Sequence, residues 1–524
     1  MRSIPSKLPL NRQYAWYGEP ADSGRCPISG GINRVGNKTQ INDTQAWTME
    51  FLEYPGIDKI PAKMPGWARE FTSALPSPCG GRFDFRDNTG VNHAVVYSGG
   101  TLYEIDETAN TTSVISVLDL PPANVSMCKL GDYLIVAYGG THLKKWDGTT
   151  FSDVANSPAG ATWVVNFKNR LWCNMSDAGV ARASNAGQGG IEVWDAPYSF
   201  NLGRTSEVLN AAVPFHDWLL VFQDNQLDAF NPGQNTIVAS IDTWLNALGC
   251  PSPLGVINCD DIGVAFYSTE GIKFFERWSP NPQTISGPIQ PLLDAIPADM
   301  RSKVALGFQD GKLRVSYADE TNGGANNREL ICHIKRAMDG GGMAWTGPHN
   351  LNIGNYYTRL ENNGTKNELV FSDSVAGMSY LRTEGVYTQE ASDGTITNMG
   401  YKLATKYAQP APLGYECIMK GAIVEVEGVG VYTISGQVDN KSSASLGGLA
   451  ASALSGLAFP LTLPFTFSDA QETERTLNIG WPRTLPARAK YVSIIVEELS
   501  ASASKVIAIG LEFDTDSKPR KART

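Results

Sequence analysis

The residues best suited to proton transfer near neutral pH are five histidines: His93, His142, His216, His333 and His349. They lie far apart, and none stands in a known catalytic spacing. The chain has no G-x-S-x-G nucleophile elbow, no Walker A phosphate loop and no H-E-x-x-H zinc pair. The glycine-rich DGGGMAW (339–345) reads as a loop between strands, without the following helix that a phosphate cradle needs. Two acidic pairs, Asp260-Asp261 and Glu497-Glu498, invite comparison with paired catalytic carboxylates. Neighbours on a strand face opposite ways, so neither pair can converge on one bond. Both are expected to be solvated surface, and two carboxylates in a loop are too few to specify calcium. The eight cysteines (26, 79, 128, 173, 250, 259, 332 and 417) show no C-x-x-C and no adjacent histidine pair. They read as reduced, mostly buried thiols of a protein that folds in a cytosol. No catalytic residue, cofactor or metal site is assigned.

Composition narrows the scaffold. A net charge of -10 argues against a surface that grips nucleic acid by neutralising phosphates. Charged residues are only 18% of the chain, against 52 glycines, 12 tryptophans and 19 tyrosines. That balance suits an all-β protein with many tight turns. The start, MRSIPSKLPLNRQ, has no apolar core of a secretory signal, and no uninterrupted apolar run of about 18 residues follows. No stable membrane insertion is expected.

One local pattern recurs from about residue 90. An apolar strand ends in an aromatic, a short Gly/Asp/Asn turn follows, and a second apolar strand begins. The seven instances are AVVYSGGTLYEID (94–106), LIVAYGGTHLKKWD (134–147), WVVNFKNRLWCN (163–174), LLVFQDNQLDAFN (219–231), GVAFYSTEGIKFFE (263–276), ALGFQDGKLRVSY (305–317) and LVFSDSVAGMSYL (369–381). Each reads as a β-hairpin. The aromatics before the turns, Tyr97, Tyr138, Phe167, Phe222, Phe266, Phe308 and Phe371, recur irregularly, about every mid-forties residues. Four strands per 40–50 residues is the signature of a β-propeller blade, and seven hairpins allow six to eight blades. Helix signals are scarce; the best is PIQPLLDAIPADMRSK (288–303).

After about residue 395 the pattern gives way to longer alternating strands. In GAIVEVEGVGVYTISGQVD (421–439), Val424 and Val426 alternate with Glu425 and Glu427. In KVIAIGLEFD (505–514), Ile507, Ile509, Leu511 and Phe513 fall on one face. Period-two patterning predicts a β-sandwich-like domain. The small-residue stretch 442–465 reads as a long flexible loop that orders against a neighbouring subunit, with a buried strand pair or a membrane-active loop as alternatives. The tail ends in Lys518, Arg520, Lys521 and Arg523 and reads as a basic, free terminus.

The segment between the start and the hairpins carries a resemblance. Gly30-Gly31-Ile32-Asn33 is followed by INDTQAWTMEFLEY (41–54), a turn, DKIPAKMPGW (58–67) and the first hairpin with its G-G-T-L-Y turn. This order resembles the N-terminal region of tail nozzle (tail hub, or tubular) proteins of short-tailed bacteriophages. Met64 stands where that family often has Arg. With the hairpin and alternating-strand patterns, the resemblance divides the chain into an expected lead-in over 1–85 that contributes to the propeller, a propeller over 86–395, a sandwich-like domain over 396–515 and a flexible tail over 516–524. It implies a structural virion protein assembled in the host cytoplasm: a hexameric ring or tube that extends portal and adaptor. Such a tube passes DNA transiently without binding it specifically and supports fibres or spikes. Trp47, Phe51 and Trp67 are the expected partner or ring-closure contacts, with Pro55, Pro61 and Pro65 turning the chain. A propeller-fold lectin or glycosidase, or another virion part such as a fibre, are the alternatives. The boxes SDGT (392–395) and WDGTTF (146–151) do not fit the repeated sialidase motif.

Overall fold

The computed structural model describes residues 13–17, 28–35, 38, 40, 42, 45–55, 60–176, 179–195, 198–202, 206–232, 239–276, 281–321, 324–336, 343–361, 366–408, 417–428, 430–438, 444–451, 474–480, 488–489 and 491–515. The chain is a seven-bladed β-propeller joined to a β-sandwich. Five blades are four-stranded antiparallel sheets with inner strands at Cys79–Arg86, Ser126–Leu130, Val164–Phe167, Ala211–Phe215 and Val256–Asn258. Blades six and seven start at Ala305–Gln309 and Ile353–Glu361. The inner strands pack side by side around an axis, and the seventh returns against the first. Blade one thus opens at Cys79, inside the stretch assigned to the lead-in.

All seven hairpins form, but they do not occupy equivalent places. Five join the second and third strands of their blades. Those of Phe167 and Phe308 join the first and second strands. The aromatic spacing is uneven for that reason, whereas successive inner strands start 38 to 49 residues apart. All seven aromatics are buried. Separate apolar clusters fill the gaps between successive blades: Phe85, Tyr97 and Trp146 between one and two, Trp172 and Phe230 between three and four, Phe222, Phe266 and Phe275 between four and five. The helical stretch 288–303 resolves into one helix, Gln290–Asp294, and 3-10 turns at Gly287–Ile289 and Ala298–Lys303.

The ring closes with a strand from the far end of the chain. Trp67–Arg69 runs antiparallel to Ser379–Arg382 as the fourth strand of blade seven, with Ala68 opposite Leu381. Two further short strands, Thr388–Glu390 and Ile396–Asn398, extend that sheet.

Blade six is extended differently. Its outer strand Trp345–Asn350 meets Ala46–Glu50, which pairs with Tyr401–Thr405, and the sheet runs on through Val492–Glu498, Gly430–Val438 and Ala444–Ala451. One nine-stranded sheet therefore runs from the propeller into the sandwich. The facing sheet of the sandwich holds Leu52–Glu53, Ala62–Lys63, Ser504–Thr515, Cys417–Gly428 and Glu474–Gly480, with Gln13–Tyr17 along Ser504–Thr515. Val424, Val426, Ile509, Leu511 and Phe513 face Ile434, Ile494 and Val496 across the core. The single-face reading of Ile507 is corrected. A β-bulge pairs Glu425 with Ala508 and Val426 with Val506, so Val506 takes the inward position. The flexible-loop reading of 442–465 is corrected in part: Ala444–Ala451 is a strand paired with Gly430–Val438, while 452–465, like the tail 516–524, lies outside the described residues.

Candidate functional site

The segment that carries the sequence resemblance threads between the two lobes, and some of its polar groups, Glu53 and Lys63 among them, are buried. It begins at a glycine turn. Gly31 has φ +69°, the Ile32 N–H donates to Trp345 O at 2.7 Å, and the Gly31 N–H donates to the Tyr54 hydroxyl at 3.0 Å. A Cβ on Gly31 would stand 2.4 Å from Trp345 O, so glycine is required for the close approach as well as the backbone angle.

Trp47 lies under the Arg34 guanidinium, 4.5 Å from ring centroid to carbon, with the Lys38 ammonium at 5.7 Å. Four residues on, the Phe51 N–H donates to His349 Nδ1 at 2.8 Å, and the two rings stack at 5.9 Å. Phe51 also packs 6.4 Å from Trp67, whose indole meets Phe371 edge-on at 5.9 Å. The structure brings Phe51 and Trp67 into one cluster at blades six and seven; Trp47 faces the Arg34 turn instead.

Three groups of buried charges fasten the segment. Glu53 Oε1 lies 2.6 Å from Lys312 Nζ, and Glu53 Oε2 lies 3.5 Å from Arg314. Arg314 reaches Glu329 at 3.4 Å, and Glu329 accepts from Arg382 at 2.7 Å and from the Tyr356 hydroxyl at 3.0 Å. Burial alone would raise the Glu53 and Glu329 carboxyls. The neighbouring cations outweigh it and hold both below the ordinary range. Burial pushes His349 the other way, down to about 4, against partial opposition from Glu329. A neutral ring is also what the geometry requires, because Nδ1 accepts the Phe51 N–H.

Lys63 makes the second attachment. Its ammonium meets Glu498 Oε2 at 2.7 Å, with both side chains fully enclosed, and also donates to Ser500 O. The surface reading of Glu497-Glu498 is corrected here. Glu497 pairs with Lys402 in solvent, while Glu498 points inward because the strand alternates faces. Asp260 and Asp261 are exposed. The third attachment is Glu70, which accepts from Arg82 at 2.9 Å and from the Ser379 hydroxyl at 2.6 Å. Arg82 also pairs with Asp84 at 2.8 Å. One segment is thus tied to blade six, the sandwich, and the joint between blades seven and one.

The histidines take other structural places. His93 Nδ1 lies 2.6 Å from Glu104 Oε1, and its ring meets Trp146 at 4.9 Å across the blade one–two boundary. His142 Nδ1 lies 3.3 Å from Ser157 O, His216 packs on Phe215, and His333 is buried. Burial raises the thiols of Cys79, Cys128 and Cys250 to about 12, which leaves them protonated and unreactive at neutral pH. Among the described residues, no three His, Cys, Asp or Glu side chains come together as a metal site. Arg82 and Asp84, with Tyr357 and Phe308, line a cavity of about 330 Å³ beside the propeller axis.

The sequence singled out aromatic residues of this segment and showed no sign of the ion pairs. Arg314, Glu329 and Arg382 sit at alternate positions of apolar strands, which ordinarily face water. In a propeller both faces of a blade are covered by neighbours, so the polar face is interior too. Nothing local in the sequence separates these charges from surface ones.

The chain matches no protein-family model and no curated protein. Solved structures share its outline at low similarity. The mitotic checkpoint complex aligns at 12% identity over 63% of this chain and 97% of that one, with a TM-score of 0.38. A putative 6-phosphogluconolactonase from Bacteroides uniformis aligns at 12% identity over 62% and 95%, with a TM-score of 0.39. BamB from Moraxella catarrhalis aligns at 13% identity over 63% and 96%, with a TM-score of 0.37.

Proposed function

We propose that the chain is a structural protein of a short-tailed bacteriophage virion, the tail nozzle that extends portal and adaptor. One observation supports this reading above the rest. The stretch from Gly30 to Trp67, which carries most of the resemblance besides the first hairpin, is the piece that welds propeller to sandwich. Its Gly31 turn, its aromatics and its buried Glu53 and Lys63 serve assembly of the subunit. A ring of such subunits would use heterologous contacts that close by rotation. With a net charge of -10, a tube wall would not hold passing phosphates by bulk attraction. The adaptor and the fibres or spikes are the partners this role requires, and the chain itself catalyses nothing.

Electron microscopy of virions carrying a tagged chain, with mass measurement of the purified protein, tests the reading. The expected result is a sixfold tube and a six-subunit mass. A protein that stays monomeric and never enters virions would overturn it; a three-subunit mass would point to a fibre.

A further inference from the structure

Blades two to five line a second, half-open cavity near the propeller axis, of about 570 Å³. That lies within the roughly 300–1,000 Å³ of small-molecule sites. None of the described residues lining it is charged. Most of its polar side chains are engaged around the ring; Asn124 and Thr162 are exposed, and Thr162 Oγ1 accepts from the Asn174 amide at 2.9 Å. The Ser126 hydroxyl donates to Val164 O at 3.2 Å and accepts the Val164 N–H at 3.1 Å. The Trp163 indole N–H donates to Leu209 O at 2.9 Å. The Asn210 amide donates to Asp224 at 2.7 Å and to Cys250 O at 2.9 Å, and the Asn258 amide donates to Pro214 O at 3.0 Å. Each bond from Ser126, Trp163, Asn210 and Asn258 ties one blade to the next or to its connection, so these donors are not offered to the cavity.

Away from Asn124 and Thr162, the wall that remains is aliphatic. Val165, Val213, Leu254, Val256 and Ile257 are only half-buried, and Val208 beside them is 55% exposed. Water against these side chains is released at a gain when an apolar group replaces it. Ile257 also lines the smaller cavity that holds Arg82 and Asp84. The charged and uncharged parts of the axis therefore meet at one residue.

We propose that the larger cavity is a binding site for a neutral, apolar small molecule. An ion would lose its hydration there with no counter-charge to replace it. A ligand rich in acceptors would find the side-chain donors of Ser126, Trp163, Asn210 and Asn258 engaged. The site goes beyond the assembly role and does not depend on it.

Titration of the full chain with the neutral probe N-phenyl-1-naphthylamine tests this. The expected result is saturable one-to-one binding. The anionic 1-anilinonaphthalene-8-sulfonate should bind at least tenfold more weakly. Val213→Asp, which sets a carboxylate in the wall, and Ala212→Trp, which fills the space, should each weaken the neutral probe at least tenfold. Methyl NMR of the unaltered chain reads the site without any substitution, with probe-induced shifts expected at Val213, Val256 and Ile257. Absence of saturable binding, equal affinity for the sulfonate, undiminished binding to folded Ala212→Trp, or shifts confined to other methyls would each overturn the proposal.

Discussion

Lys63 and Glu498 stand 435 positions apart in the chain and meet at 2.7 Å inside the protein. Their contact joins the early segment to a central strand of the sandwich. Removing one partner leaves the other charge buried and unpaired. Lys63→Met is expected to cost about 3–5 kcal/mol, and adding Glu498→Leu should restore at least about 1 kcal/mol of it. Urea unfolding of both variants measures the difference. A double variant no more stable than the single one would show that the pair is not the source of the loss.

Gly31 tests whether the glycine motif is structural. Gly31→Ala forces a side chain into a left-handed backbone and against Trp345 O. Backbone strain alone is expected to cost about 1–3 kcal/mol. Gly30→Ala serves as the control, and thermal unfolding compares the two.

Ring closure depends on a short strand. Gly66 and Glu70 both bond across to the segment that follows blade seven's third strand or to that strand itself, and Ala68 lies between them opposite Leu381. Ala68→Pro removes an N–H from this ladder. Hydrogen exchange at residues 379–382 should accelerate while that of blade three is unchanged. Deleting 41–66 takes away the attachments of Glu53 and Lys63 together, and it is expected to abolish soluble folded protein.

His349 gives the pH dependence a direction. Its folded pKa is depressed to about 4 from the ordinary 6.5, so as pH falls the unfolded chain takes up this proton first. The stability it contributes is complete above about pH 6.5 and is lost between there and about 4, with a slope of up to about 1.4 kcal/mol per pH unit. Glu53 and Glu329, held low by their cations, extend the loss into more acid solution. His349→Gln keeps an acceptor for the Phe51 N–H and removes the titration. Its stability should be flatter between pH 6.5 and 4.5 in denaturant titrations.

The hairpins were legible because each is a local event: an aromatic, a turn residue with the right backbone freedom, and β-formers on either side. The sandwich strands were legible for the same reason. Blade number was not, because Phe167 and Phe308 mark a different hairpin of their blades from Tyr97 or Phe222. The period shows only when inner strands are aligned. Glu498 was misread because alternation tells which residues share a face and not whether both faces are covered. The pairing of Ala46–Glu50 with two partners more than 290 residues away left no local trace. Of the site, Phe51 and Trp67 were singled out with the segment that carries the resemblance, while Lys63, Glu70 and Arg82 depend on partners that only the fold brings near.

The nine-stranded sheet has a mechanical consequence. At the seam between Trp345–Asn350 and Ala46–Glu50 the pairing narrows to Met49 opposite Gly347, whereas Ala46–Glu50 is held along its length by Tyr401–Thr405. A pull on the sandwich is therefore carried by shear along a ladder on one side of that strand, while on the other it falls on one rung, the Phe51–His349 hydrogen bond and the Glu53 ion pairs. Under load, resistance on the blade-six side should rest mainly on side chains, where the sandwich side rests on backbone pairing.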